Sequence, residues 1–142
     1  MSDAYRLVFD VEDDHITLTH IRRIAMRVPP SQTAAEMAQP TSGRFVEVIG
    51  DQDRTLYRRP LEVQLDPHVE YPTGDPARPF GHAPAPRRRE VVVLVPADPA
   101  ARRALIVEVR ARRQRGEATA TAVTVKRREL ASVTLPDAKE VL

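Results

Sequence analysis

The chain has 142 residues, 22 Lys and Arg against 20 Asp and Glu for a formal net charge of +2, 13 prolines, five glycines and no cysteine. A chain of this length can bury one core without staples, and the lack of cysteine excludes disulfide frameworks, thiolate nucleophiles and Cys-ligated zinc or iron–sulfur centres. The longest apolar run, Val91 to Val95, is far below the ~18 to 20 residues of a membrane helix, and the acidic start Met1-Ser2-Asp3 has no apolar stretch behind it, so a cytoplasmic protein without membrane association is expected.

Tyr5 to Val11 alternates Tyr5, Leu7, Phe9 and Val11 with other residues, the period of a strand. Glu12-Asp13-Asp14 makes a turn, and Ile16 to Val28 predicts a second strand whose register breaks at His20 and Arg22. A bulge over residues 20–23 repairs it by turning Ile21 inward, because one extra residue reverses the phase of every side chain beyond it. Pro29-Pro30 ends that strand. Within the loop 31–42, Thr33-Ala34-Ala35-Glu36 fits a capping box, and Pro40 limits any helix to about one turn.

Gly43 to Ile49 and Thr55 to Tyr57 flank a Gly/Asp turn and predict a hairpin. Leu61 to Leu65 alternates and predicts a further half-buried strand. Residues 72–89 hold Pro72, Pro76, Pro79, Pro84 and Pro86 without apolar periodicity, which predicts an exposed loop. Val91 to Val95 is apolar in both phases, as a central strand covered on both faces would be. Asp98-Pro99 offers a helix start, but the β-branched Ile106, Val107 and Val109 favour one short turn followed by a strand over 104–111. A turn at 113–117, a strand over 119–126 and a last strand over 130–135 precede a charged tail at 136–142. Eight or nine short strands with at most one or two helical turns predict one all-β domain over 1–142, a two-sheet antiparallel sandwich that is immunoglobulin-like in the loose sense.

Chemistry-bearing patterns are sparse. His15, His20, His68 and His82 have no metal-motif spacing, and Asp13-Asp14-His15 reads as a solvated turn. Asp51 and Asp53 suit turn hydrogen bonding, and the glycines form no phosphate loop. No catalytic residue, metal or cofactor is therefore assigned. The basic residues are more informative, since residues 1–86 carry nine basic and 13 acidic groups while 87–128 carry 12 basic and four acidic. Twenty of the 22 basic residues are arginine, which together with abundant alanine and proline marks a GC-rich genome. Arg110, Arg112, Arg113, Arg115, Lys126, Arg127 and Arg128 fall on neighbouring strands and are read as one basic partner-binding patch. No aromatic residue lies between positions 81 and 142, which argues against nucleic acid, where bases stack on aromatic rings. An acidic protein face, or another copy of the chain, is the expected partner.

The stretch Ser42 to Ile49, the turn Asp51 to Arg54, Leu56-Tyr57-Arg58-Arg59, and then Val92 to Ala101 with Leu105-Ile106-Val107 resemble the small β-sandwich accessory modules of some bacterial multidomain proteins, including secreted peptidases. The likeness covers residues 42–110, and Arg54 stands where those modules often carry glycine. It implies a scaffold or partner-binding role and brings no catalytic site. The expected function is that of a non-enzymatic interaction or structural subunit in a larger bacterial assembly, with polyanion binding through the basic hairpin, or a small enzyme whose site is not visible in sequence, as alternatives.

Overall fold

The computed structural model describes residues 3–13, 15–39, 41–61, 68–84, 88–115 and 121–136. Among the described residues nine strands occur in the order β1 (Asp3–Glu12), β2 (His15–Ala25), β3 (Gly43–Ile49), β4 (Thr55–Pro60), β5 (His68–Asp75), β6 (Arg78–Pro84), β7 (Arg88–Pro96), β8 (Arg103–Arg115) and β9 (Thr121–Thr134). One sheet has the order β2-β1-β7, a second β4-β3-β8-β9, and β5-β6 form a two-stranded ribbon. Every pairing is antiparallel. The chain is an all-β sandwich.

The core lies between the two larger sheets. Tyr5, Leu7, Phe9 and Val11 of β1 and Val91, Val93 and Val95 of β7 meet Val46 and Val48 of β3, Ala104 and Ile106 of β8, and Val133 of β9. Period-two alternation puts each of these sets on one face of its strand, and removing that apolar area from water is the main stabilising term.

The β1–β2 turn uses Asp13 at φ 52°, a left-handed position that Asp tolerates through local hydrogen bonding. The bulge in β2 falls at Thr19, just before the expected stretch: His20 pairs with Val8 and Leu18 with Phe9. Thr19 Oγ1 donates to the Val8 carbonyl at 3.2 Å, and Ile21 then stands opposite Leu7 and packs on the core. The capping box forms, with the Glu36 amide donating to Thr33 Oγ1 and the Thr33 amide to Glu36 Oε1, and α1 spans only Ala34–Ala38.

Several expectations need correction. Val91 to Val95 is not a central strand, because β1 holds the middle of its sheet and β7 borders it among the described residues. Val92 is 39% exposed while Val93 is 5% exposed. The second apolar phase has another use: Val92 pairs across the outer face with Val8, which is buried. Residues 72–84 are not loop but ribbon, with Pro72 opposite Phe80 and Tyr71 opposite Gly81. Residues 71–80 are exposed. A two-stranded ribbon has an open edge on each side, so a proline whose missing N–H would face outward costs no ladder bond. Tyr71 lies so close over Gly81 that a Cβ there would sit 2.6 Å from the ring. Residues 88–89 of the expected loop begin β7 and residues 113–115 of the turn expected at 113–117 end β8, while residues 85–87 and 116–120, and most of the strand expected at 61–65 and of the tail, lie outside the described residues. The two strands expected at 119–126 and 130–135 are one, β9, kept continuous by a bulge at Leu130, where Val107 pairs with Glu129 and Ile106 with Ala131.

Candidate interaction surface

The β8–β9 hairpin is longer than the sandwich that carries it. β3 pairs with β8 from Ile49↔Arg103 to Gly43↔Val109, whereas β8–β9 pairing runs on to Arg115↔Thr121. Ser42 closes the supported part, its hydroxyl accepting from the Ala111 amide at 2.9 Å and donating to the Ala111 carbonyl at 3.3 Å. Beyond that point the hairpin is a two-stranded arm among the described residues.

Cross-strand partners share a face, so the register sorts the basic residues. Arg110 pairs with Lys126, Arg112 with Thr124 and Glu108 with Arg128, which places Arg110, Arg112, Lys126 and Arg128 on one face. Arg127 pairs with Val109 on the opposite face, beside Ala111↔Val125. Arg113 and Arg115 occupy register positions opposite Val123 and Thr121, and their side chains lie outside the described ones. The seven residues expected to form one patch are therefore divided between two faces, because alternation separates Arg127 from Lys126 and Arg128. On the second face Val123 and Val125 are 40% and 51% exposed.

Glu108 organises the cationic face at the base of the arm. Arg110 Nε donates to its Oε1 at 2.8 Å, Arg128 Nη2 to its Oε2 at 3.3 Å, and Arg44 Nε stands 3.8 Å away. Burial by itself would raise the Glu108 pKa, but the hydrogen bond from Arg110 and the charges of Arg110, Arg128 and Arg44 together hold it below its ordinary value. The cluster borders a cleft of about 210 Å³ lined also by Val11, Asp13 and Ile16.

A depressed folded-state pKa means that the unfolded chain binds more protons as the pH falls. The cluster's contribution is thus complete above the unfolded value of ~4.3 and is lost as the pH drops through the lower folded value. Replacing Glu108 with Gln should cost about 1 kcal/mol at pH 7, and that difference from the parent should shrink towards pH 3. Urea midpoints measured across this range check it; a difference that grows on acidification contradicts the assignment.

Arg127 turns away from this face to a buried carboxylate. Its Nη1 and Nη2 donate to Glu47 Oε2 and Oε1 at 2.6 and 2.7 Å. The hydrogen bond to Glu47 is the main reason that the Arg127 pKa is raised, outweighing the effect of burial. Since β8 separates β9 from β3, this pair reaches across β8. Arg58 Nε lies 3.4 Å from Glu47 Oε2, and its guanidinium stacks 4.0 Å from the centroid of Phe45. Phe45 belongs to a second apolar cluster with Ile49, Leu105, Val107 and Val109.

Sequence reasoning missed Glu47. It stands between Val46 and Val48, directly opposite Arg58 in the hairpin that the turn at 50–54 defines, and a carboxylate inside a buried strand is the available signal. It also read Asp51 and Asp53 only as turn residues, whereas they accept from Arg102 and Arg103 at 3.2 and 3.0 Å and fasten the turn to the start of β8.

Among the described residues no three His, Cys, Asp or Glu side chains gather as a metal site, and no helix is long and apolar enough to cross a membrane. Compared with family models, curated proteins and solved structures, the chain matches none of them.

Proposed function

We propose that this chain is a non-enzymatic interaction or structural subunit of a larger bacterial, cytoplasmic assembly, and that the β8–β9 arm is the element its protein partner holds. The observation that carries this reading is the arm itself: pairing continues to Arg115↔Thr121 past the end of β3, with exposed cations on one face and exposed valines on the other. Extending two strands past their sheet neighbour leaves ladder groups and apolar area in water, an expense that contact with a partner offsets. The resemblance of residues 42–110 to β-sandwich accessory modules points the same way, since such modules act as scaffolds. Arg110 and Arg128, although hydrogen-bonded to Glu108, remain largely exposed, so they are available to an acidic face.

The test places a photo-crosslinking amino acid at Val125, at Lys126 and, as control, at Thr17 of β2, and irradiates the full chain in the cell that makes it. A discrete protein adduct is expected from the two arm positions. It should disappear in an Arg110→Glu/Arg112→Glu variant and weaken at high salt, as exposed charge pairs do. Adducts from Thr17 alone would overturn the reading, and a nuclease-sensitive adduct from Lys126 would replace it with binding of a polyanion.

A further inference from the structure

We infer that the chain dimerises through the open edge of β7, which pairs antiparallel with the β7 of a second copy about a two-fold axis at Val92, joining two three-stranded sheets into one of six. The inference does not rest on the arm. β9 meets β2, which lies at the other side of its sheet from β7, so both arms stay uncovered in such a dimer.

Four strands border the two larger sheets among the described residues, and three of them carry the features that keep strand edges from pairing. β2 has its bulge with Arg22 and Arg23, β4 has Arg58, Arg59 and Pro60, and β9 has its bulge with Lys126, Arg127 and Arg128. β7 differs. Its register with β1 runs unshifted from Ala4↔Pro96 to Glu12↔Arg88, and Val91 to Val95 holds neither charge nor proline.

Backbone direction fixes what this edge offers. The Ala97 amide donates to the Asp3 carbonyl at 3.1 Å, one rung beyond Ala4↔Pro96, so the odd-numbered residues of β7 turn their backbone groups to β1. The Val8 carbonyl agrees, since it faces β2 and accepts from Thr19. The N–H and C=O of Glu90, Val92 and Leu94 therefore line the open edge, where among the described residues no strand pairs with them.

One register suits these groups best. With the axis at Val92, each Val92 exchanges two hydrogen bonds with its copy, Glu90 stands opposite Leu94, and Arg88 opposite Pro96, whose carbonyl still accepts. On the outer face the two Val92 side chains then meet, each beside the Val8 of its own chain. Arg6, exposed and opposite Leu94, looks over Leu94 to the exposed Glu90 of the second copy, which stands beside Asp10. Cation and carboxylates thus face each other across an apolar rung, and the two-fold axis repeats the match. Two strand spacings are about 9.6 Å, and Arg127 already reaches over β8 to Glu47. Moving the axis to Glu90 opposes two carboxylates, and moving it to Val91 sets the copy's Arg88 across Leu94 from Arg6, like charges in both cases. Moving it to Val93 or Leu94 shortens the ladder, because Pro96 then ends it against Glu90 or Val92.

Sedimentation equilibrium of the full chain tests this. At least half of the chain should be dimeric at roughly 100 μM. Val92→Lys opposes two cations at the axis and should weaken dimerisation at least tenfold; because Val92 is on the outer face, the single chain should keep its fold by circular dichroism. Glu90→Arg should weaken the dimer at least fivefold by facing Arg6 of the copy in both halves, and adding Arg6→Glu should restore the parent value to within about twofold. Arg110→Glu/Arg112→Glu should leave the dimer unchanged. A chain that stays monomeric at that concentration overturns the inference and leaves the β7 edge to a strand of another protein. So does a dimer that Val92→Lys leaves intact, one that the charge swap fails to restore, or one that the arm variant dissociates.

Discussion

Replacing Glu47 with Ala should lower the free energy of unfolding by about 3 kcal/mol, the order expected when one partner of a buried ion pair is removed and the other is left behind. Glu47 is nearly inaccessible and receives Arg127 through two hydrogen bonds, with Arg58 3.4 Å away. Without the carboxylate, Arg127, less than half of whose side chain is exposed, can swing outward. Arg58 has less freedom, since it lies against Phe45 and its Nη1 reaches the Met37 carbonyl. The expected order of urea midpoints is parent, then Arg127→Ala, then Glu47→Ala, because Arg127→Ala leaves Glu47 beside Arg58 whereas Glu47→Ala leaves the confined Arg58 without its carboxylate. Replacing Glu47 and Arg127 together with Leu and Met should recover part of the loss, as apolar replacement of buried pairs commonly does. A Glu47→Ala protein within 1 kcal/mol of the parent would show that the guanidinium groups find water without cost.

Val93→Asp and Val92→Asp should behave as opposites although the positions are adjacent. Val93 is in the core between Val91 and Val95 and pairs with Leu7, so a carboxylate there is buried without a partner and should destabilise the fold by several kcal/mol. Val92 is on the outer face, and its replacement should cost about 1 kcal/mol or less, mostly through the apolar cover lost over Val8. Thermal midpoints decide this. Equal losses at both positions would restore the view of β7 as a strand covered on both faces.

That contrast also shows where the sequence is legible and where it is not. Clean alternation in Tyr5 to Val11 and the short turn at 50–54 correspond to β1 and to the β3–β4 hairpin, because side-chain period and turn chemistry act locally. The shift in phase near His20 marks a real bulge, one residue earlier than expected. Val91 to Val95 misleads because an outer apolar stripe covering Val8 and a fully covered strand produce the same letters. Proline density in 72–84 misleads because it excludes inner strands, not ribbons with open edges. The division of the arginines follows from register alone and could have been drawn from the alternation of 126, 127 and 128, yet the partner of Arg127 is two strands away and 80 residues earlier in the chain, a relation that no local pattern carries.

Pairing of β1 with β7 has a kinetic side. Each of the hairpins β1–β2, β3–β4 and β8–β9 can close locally, but the Leu7↔Val93 rung must wait for the whole intervening chain to be brought round, and non-local closure of this kind slows folding. The entropy of that closure rises only with the logarithm of loop length, roughly 0.6 kcal/mol for each doubling. Since the β5–β6 ribbon lies inside the loop and none of its described side chains belongs to the buried core clusters, its length is nearly free to vary. Insertions there should accumulate over evolutionary time at little thermodynamic expense, while a single added residue in β1 would reverse the phase of every rung that closes the sandwich.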